Sequence, residues 1–92
     1  MSAPLAGTVP RVAAKARLEW DEVRRRYVLL YPEGLVALNA TAAEVLRLCD
    51  GELAVGQIVE RLKQRYKVGH IEGDVAAFLG SLAAKGLVTY VR

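Results

Sequence analysis

Tyr27-Val28-Leu29-Leu30-Tyr31-Pro32-Glu33-Gly34-Leu35-Val36-Ala37-Leu38-Asn39 is the stretch whose reading decides the fold. Its first five residues form an unbroken apolar, β-prone run, which suits a strand that finds cover on both faces. In Pro32-Glu33-Gly34 the proline presets φ and the glycine tolerates positive φ, so a tight hairpin loop is expected. Leu35 to Leu38 is the returning strand. Working back towards the N-terminus, Ala16, Leu18 and Trp20 alternate with Arg17, Glu19 and Asp21, the period of 2 of a half-buried strand. Asp21-Glu22 then supplies a polar turn. The predicted strands span 16–21, 26–31 and 35–38, an antiparallel meander with the third strand at an edge.

Beyond Asn39 the hydrophobic period becomes helical. Thr41-Ala42-Ala43-Glu44 reads as a capping box, with the Thr oxygen accepting an orphan N–H and Glu44 reaching back. Ala42, Val45, Leu46 and Cys49 form the apolar stripe of a helix over 41–50, which Asp50-Gly51 ends. A second helix is predicted over 55–66, with Val55, Ile58, Val59, Leu62 and Tyr66 inside and Glu60, Arg61, Lys63, Gln64 and Arg65 outside. A third spans 72–85, with Asp74 near its start, Gly86 just past its end and a core face of Val75, Phe78, Leu79 and Leu82. Leu87 to Val91 reads as a short extended tail. The fold class is α+β, a three-stranded antiparallel sheet followed by three helices, winged helix-turn-helix-like. That analogy by itself says nothing about function. Residues 1–15 hold two prolines and no periodicity, and are expected to form a flexible tail ahead of a domain over 16–92.

The inventory narrows the chemistry. The chain has 92 residues, 53% of them hydrophobic and 25% charged, so it builds one small core. A single His (His70) and a single Cys (Cys49) are too few for a structural zinc site or an internal disulfide. No metal and no cofactor are expected. One reduced thiol suits the cytoplasm. No apolar run is long enough to span a membrane. A net charge of +3 is too weak to argue for nucleic acid.

Each reactive side chain has a bland reading that wins. Cys49 lies on an apolar stripe and reads as a small core residue rather than a nucleophile. His70 sits in a loop and reads as solvated. The pairs Glu19/Asp21 and Asp50/Glu52 lie on a wet face and in a turn, and read as surface charges. Arg24-Arg25-Arg26 is the only basic run; it suits phosphates or an acidic partner, but reads first as a solvated turn. No feature points to an enzyme.

The third helix and the third strand carry more. A DNA-reading helix needs Arg, Lys, Asn or Gln towards base edges. Here, outside the core stripe, stand Ala76, Ala77, Gly80, Ser81, Ala83 and Ala84, with Glu72 and Asp74 in the first turn and only Lys85 basic. Small side chains either let another backbone approach or pack within the fold, and the spacing leaves both open. The strand Leu35 to Leu38 carries no charge or proline to blunt its edge, and such an edge invites another strand. A peptide added there, with side chains against the third helix, is one use. Self-pairing into a homodimer, by edge pairing or strand exchange, is the competing one.

The Tyr27–Asn39 stretch, followed by Thr41-Ala-Ala-Glu-Val-Leu-Arg-Leu-Cys-Asp-Gly51 and then Val55 and Ile58, resembles the pyrroloquinoline quinone (PQQ) biosynthesis protein D family, PqqD. The similarity spans residues 16–88. The segments Leu30–Gly34, Leu38-Asn39 and Leu48–Gly51 are specific in combination. Ala54 departs from the pattern, in which Thr is common, and this weakens the cap of the second helix.

The resemblance implies a peptide chaperone with the fold of a precursor-peptide recognition element. Such a protein binds the ribosomal precursor peptide PqqA and presents it to the radical S-adenosylmethionine (SAM) enzyme PqqE, which joins a Glu and a Tyr within the peptide. It also implies that the leader adds as a strand beside the third strand and against the third helix. Carried onto this sequence, the contacts are Leu35, Val36, Ala37, Leu38 and Asn39 on the strand, and Asp74, Ala77, Ser81, Ala84 and Lys85 on the helix. The rivals are a winged-helix DNA binder and a non-catalytic dimeric assembly factor.

Overall fold

In the computed structural model, which describes residues 6–67 and 69–91, the meander forms in the predicted order. The elements are β1 (Pro10–Val12), β2 (Arg17–Asp21), β3 (Arg26–Tyr31), β4 (Gly34–Ala37), α1 (Ala40–Arg47), α2 (Val55–Tyr66), α3 (Glu72–Ala84) and β5 (Val88–Tyr90). Strands β2, β3 and β4 form one antiparallel sheet in that order, so the apolar run of β3 lies in the middle and β4 at an edge. In register, Leu29 faces Leu18 on one side and Val36 on the other. This row packs against α1 and joins the core cluster that the inner faces of α2 and α3 also enter. Leu29, Ile58, Leu62, Leu79 and Leu87 are fully buried at the centre, each stabilising the fold by roughly 1.5–3 kcal/mol relative to exposure. The α+β class stands.

The structure corrects the reading of the termini. Part of the expected N-terminal tail is a strand: β1 pairs antiparallel with β5, matching Pro10 to Tyr90 and Val12 to Val88. The residues around it are tied down as well. Val55 N–H donates to Thr8 C=O at 2.8 Å, Gly56 N–H to Ala6 C=O at 2.9 Å, and Ala13 N–H to Leu87 C=O at 2.9 Å. Val9 and Pro10 are buried. These ties are almost wholly main-chain, and three residues are too few to show a period, so no side-chain pattern announced them. Residues 1–5 of the expected tail lie outside the described residues. The extended segment after α3 likewise becomes a strand, in a second, two-stranded sheet.

The caps differ too. Asn39, not Thr41, caps α1: its side-chain oxygen accepts from Ala42 N–H at 2.7 Å. Asn is as good a cap as Thr or better, and its use starts the helix two residues after buried Leu38. Glu44, freed from the cap, pairs with Arg47 at 3.1 Å and approaches Arg65 at 3.9 Å. Helix α1 ends at Arg47, short of the predicted Asp50. Ala54 precedes α2 and offers no acceptor, so only Gln57 helps there, accepting from Ala54 N–H at 2.8 Å. Lys63 of α2 meets Glu72 of α3 at 2.7 Å and braces the two helices. Gly86, with φ of +74°, ends α3 as predicted.

Candidate functional site

The site is built from three neighbouring features. The first is the outer edge of β4. Opposed residues in an antiparallel pair alternate between bonded and non-bonded. Leu38 N–H donates to Tyr27 C=O at 2.9 Å, and the β3–β4 register sets these two residues opposite one another. Leu29–Val36 and Tyr31–Gly34 are then the bonded pairs, and Val28–Ala37 and Leu30–Leu35 the non-bonded ones. The N–H and C=O groups of Leu35 and Ala37 therefore point away from β3. Among the described residues no strand pairs with that side of β4. The C-terminal strand, which could have covered it, pairs with β1 instead.

The second feature is the open stripe of α3. At 100° per residue, Asp74, Ala77, Ser81, Ala84 and Lys85 lie within about 120° of one another around the helix. All five are exposed, while Val75, Ala76, Leu79 and Leu82 face the core. The two readings of the small residues thus divide between positions. Ala76 packs within the fold, and Ala77, Ser81 and Ala84 are left open. The Ser81 hydroxyl donates to Phe78 C=O at 2.8 Å and is held against its own helix.

The third feature is a groove of about 280 Å³ where the end of β4 and the start of α1 meet α3. Asn39, Thr41, Ala42, Asp74 and Phe78 line it, with Val45, Ile71 and Val75 behind. Its walls are mainly apolar, and Asn39 and Asp74 supply polar groups at its rim. Of the residues expected from the sequence, the groove brings together Asn39 and Asp74. Leu35 to Leu38, Ala77, Ser81, Ala84 and Lys85 do not line it. The backbone of Val36 faces β3, its side chain is half-buried, and Leu38 is buried. Sequence reasoning missed Thr41, Ala42 and Phe78 as groove residues, because each had been assigned to a cap or a core stripe. Phe78 had one available signal: it shares the Asp74–Ser81 stripe.

Cys49 is buried, and desolvation, reinforced by Asp50, pushes its thiol up to about 12. Among the described residues no three His, Cys, Asp or Glu side chains are placed to hold a metal ion. No described helix is long and apolar enough to cross a membrane.

The unpaired edge of β4 thus leads, through Asn39, to an apolar groove walled by α1 and α3. The family model for coenzyme PQQ synthesis protein D (PqqD) matches residues 26–88, which hold β3, β4 and all three helices. The chain belongs to the PqqD family. Similar members include the PqqA binding protein of Methylococcus capsulatus, 41% identical over 81 residues, covering 88% of this chain and 87% of that one. Another, from Rhodopseudomonas palustris strain TIE-1, is 42% identical over 85 residues, covering 90% and 83%. The PqqD portion of Methylobacterium extorquens PqqCD, solved by NMR as a stand-alone recognition element for ribosomally synthesised, modified peptides, superposes with a TM-score of 0.76 at 41% identity, covering 88% of each chain. The heterocyclase TruD contains a similar domain, with a TM-score of 0.64 at 28% identity, spanning 91% of this chain and 12% of TruD.

Proposed function

We propose that this PqqD-family chain is a non-catalytic peptide chaperone of PQQ biosynthesis. It takes the precursor peptide PqqA as a fourth strand on β4 and presents it, in the cytoplasm, to the radical SAM enzyme PqqE. The observation that carries this reading is the outward row of main-chain donors and acceptors at Leu35 and Ala37, left without a strand partner among the described residues. The relatives bearing the name PqqA binding protein support the choice of guest.

In this mechanism affinity and selectivity come from different atoms. Pairing with Leu35 and Ala37 supplies backbone hydrogen bonds that any extended segment can make, each of them a net gain of roughly 0.5–1.5 kcal/mol. Alternate guest side chains turn towards α3, where Asp74, Ala77, Ser81, Ala84 and Lys85 and the groove at Phe78 select among them. Exposed small residues on α3 let the guest approach. Holding the peptide beside its enzyme makes the modification step nearly intramolecular.

The test is a titration of PqqA into the isotope-labelled chain. The amides of Leu35 and Ala37, with those of the α3 stripe, shift as the guest strand forms. Binding that leaves both β4 amides unmoved would sink strand addition. Sedimentation without peptide that gives a dimer, dissociated by PqqA, would instead show the edge exchanged between two copies.

A further inference from the structure

At the same C-terminal end of β4 the chain builds a second cleft, of about 330 Å³, from an aromatic pair and the basic turn between β2 and β3. Trp20 and Tyr27 pack edge to face, with ring centroids 5.1 Å apart, and Trp20 is 47% exposed. The Arg47 guanidinium lies over the Tyr27 ring at 4.5 Å. Arg24, Arg25 and Arg26 form the rim, and Leu38 and Asn39 close the side that adjoins β4.

The four arginines are not equivalent. Arg24 is held by Asp21 at 2.6 Å, Arg47 by Glu44 at 3.1 Å, and Arg25 stands 3.9 Å from Glu22. Arg26 has no carboxylate partner among the described residues. Its Nε donates to Leu38 C=O at 3.2 Å, which holds the guanidinium plane at the point where β4 ends. The two terminal nitrogens of a guanidinium anchored in this way match the two oxygens of one carboxylate.

We propose that this cleft reads an acidic side chain of the peptide added to β4, with Arg26 as the receiving group and Trp20 covering the stem of that side chain. The inference rests on β4 being the pairing edge. Leu38 and Asn39 follow β4 directly and line the cleft, so residues flanking the stretch paired with Leu35 and Ala37 reach Arg26 by turning across the end of the sheet. A carboxylate there completes the one arginine of these four that has no carboxylate partner among the described residues.

The experiment compares two peptides against the full chain: the cognate PqqA precursor, and the same peptide with every Asp and Glu replaced by Asn and Gln. For the unmodified chain the acidic peptide binds about tenfold or more tightly than its amide version, as expected of a charged hydrogen bond. Arg26→Gln brings that ratio close to one, and Arg26→Lys keeps part of it. A mere loosening of the β4 end would weaken both peptides alike and leave the ratio unchanged. If the ratio survives Arg26→Gln while the Leu35 and Ala37 amides still shift, the inference is overturned and strand addition stands. If neither peptide moves those two amides, strand addition falls and the inference falls with it.

Discussion

Val36 and Ala37 are adjacent on β4, yet their main chains face opposite ways: Val36 is bonded to Leu29 of β3, and Ala37 points its N–H outwards. A proline at each position therefore separates fold from function. Proline removes one N–H and is tolerated on an edge strand only where that N–H faces out. Ala37→Pro keeps the fold and weakens PqqA binding by about three- to tenfold, the worth of one backbone hydrogen bond. Val36→Pro breaks the sheet and costs about 1–3 kcal/mol of stability, because it leaves a carbonyl of β3 without its donor. Amide spectra and denaturant melts of the two variants check the contrast.

Ala42 offers a way to close the groove without disturbing the core. It lies in the first turn of α1, is half-buried, and lines the groove beside Phe78. Ala42→Phe fills that space from the wall. The folded variant keeps its melting temperature to within a few degrees, and its affinity for PqqA drops about tenfold, the loss expected when one buried apolar guest side chain is displaced. Calorimetric titration reads the affinity, and a binding curve identical to that of the unmodified chain would remove the groove from the site.

The N-terminal segment is expected to be structural. Truncation through Val12 removes β1, uncovers Val88, and deletes buried Val9 and Pro10. The chain then loses about 3 kcal/mol or more, given roughly 1.5–3 kcal/mol for each buried apolar side chain. Urea unfolding of the full and shortened chains measures the difference.

Acid acts on the hairpin between β2 and β3. Asp21 accepts from the N–H groups of Val23 and Arg24, both at 3.0 Å. The backbone N–H of Arg24, and then its guanidinium, hold the Asp21 carboxyl below the usual 3.8. A carboxylate lowered by folding contributes stability that is complete above its unfolded pKa and is lost as pH falls through its folded one. Thermal midpoints therefore fall below about pH 4, and Asp21→Asn shows a shallower fall from its own neutral-pH value. Asp50 and Glu72, lowered chiefly by the Glu52 N–H and the Lys63 ammonium respectively, supply the remaining acid dependence. An unchanged slope in Asp21→Asn would assign the whole effect to those two groups.

Much of the fold was legible because its signals are side-chain signals. The apolar run of β3, the Pro32-Glu33 turn and the 3.6-residue stripes of α1, α2 and α3 are written in residue types, and the elements form within a few residues of where those types put them. What escaped was held by the main chain. The strand β1 is fixed by carbonyls and amides that reach Cys49, Gly51, Val55 and Leu87, and no periodicity records them. The cap of α1 moved from Thr41 to Asn39 because two good capping residues stood two positions apart and tertiary placement chose between them. For the candidate site, residue types marked β4 as an unguarded edge, but which of its residues face outwards depends on register, and register lies in the pairing. The Arg26 anchor on Leu38 is of the same kind: twelve positions separate the partners, and neither announces the other.

The pairing of β1 with β5 brings the two ends of the domain together, with Pro10 opposite Tyr90. Entry and exit thus sit side by side in a sheet separate from the one that carries β4. A unit closed in this way behaves as a cassette. It can be spliced to either terminus of a larger polypeptide, or into one of its loops, and keep the β4 edge clear of the seam. That modularity fits a domain found both within the PqqCD fusion of Methylobacterium extorquens and as a small fraction of the heterocyclase TruD.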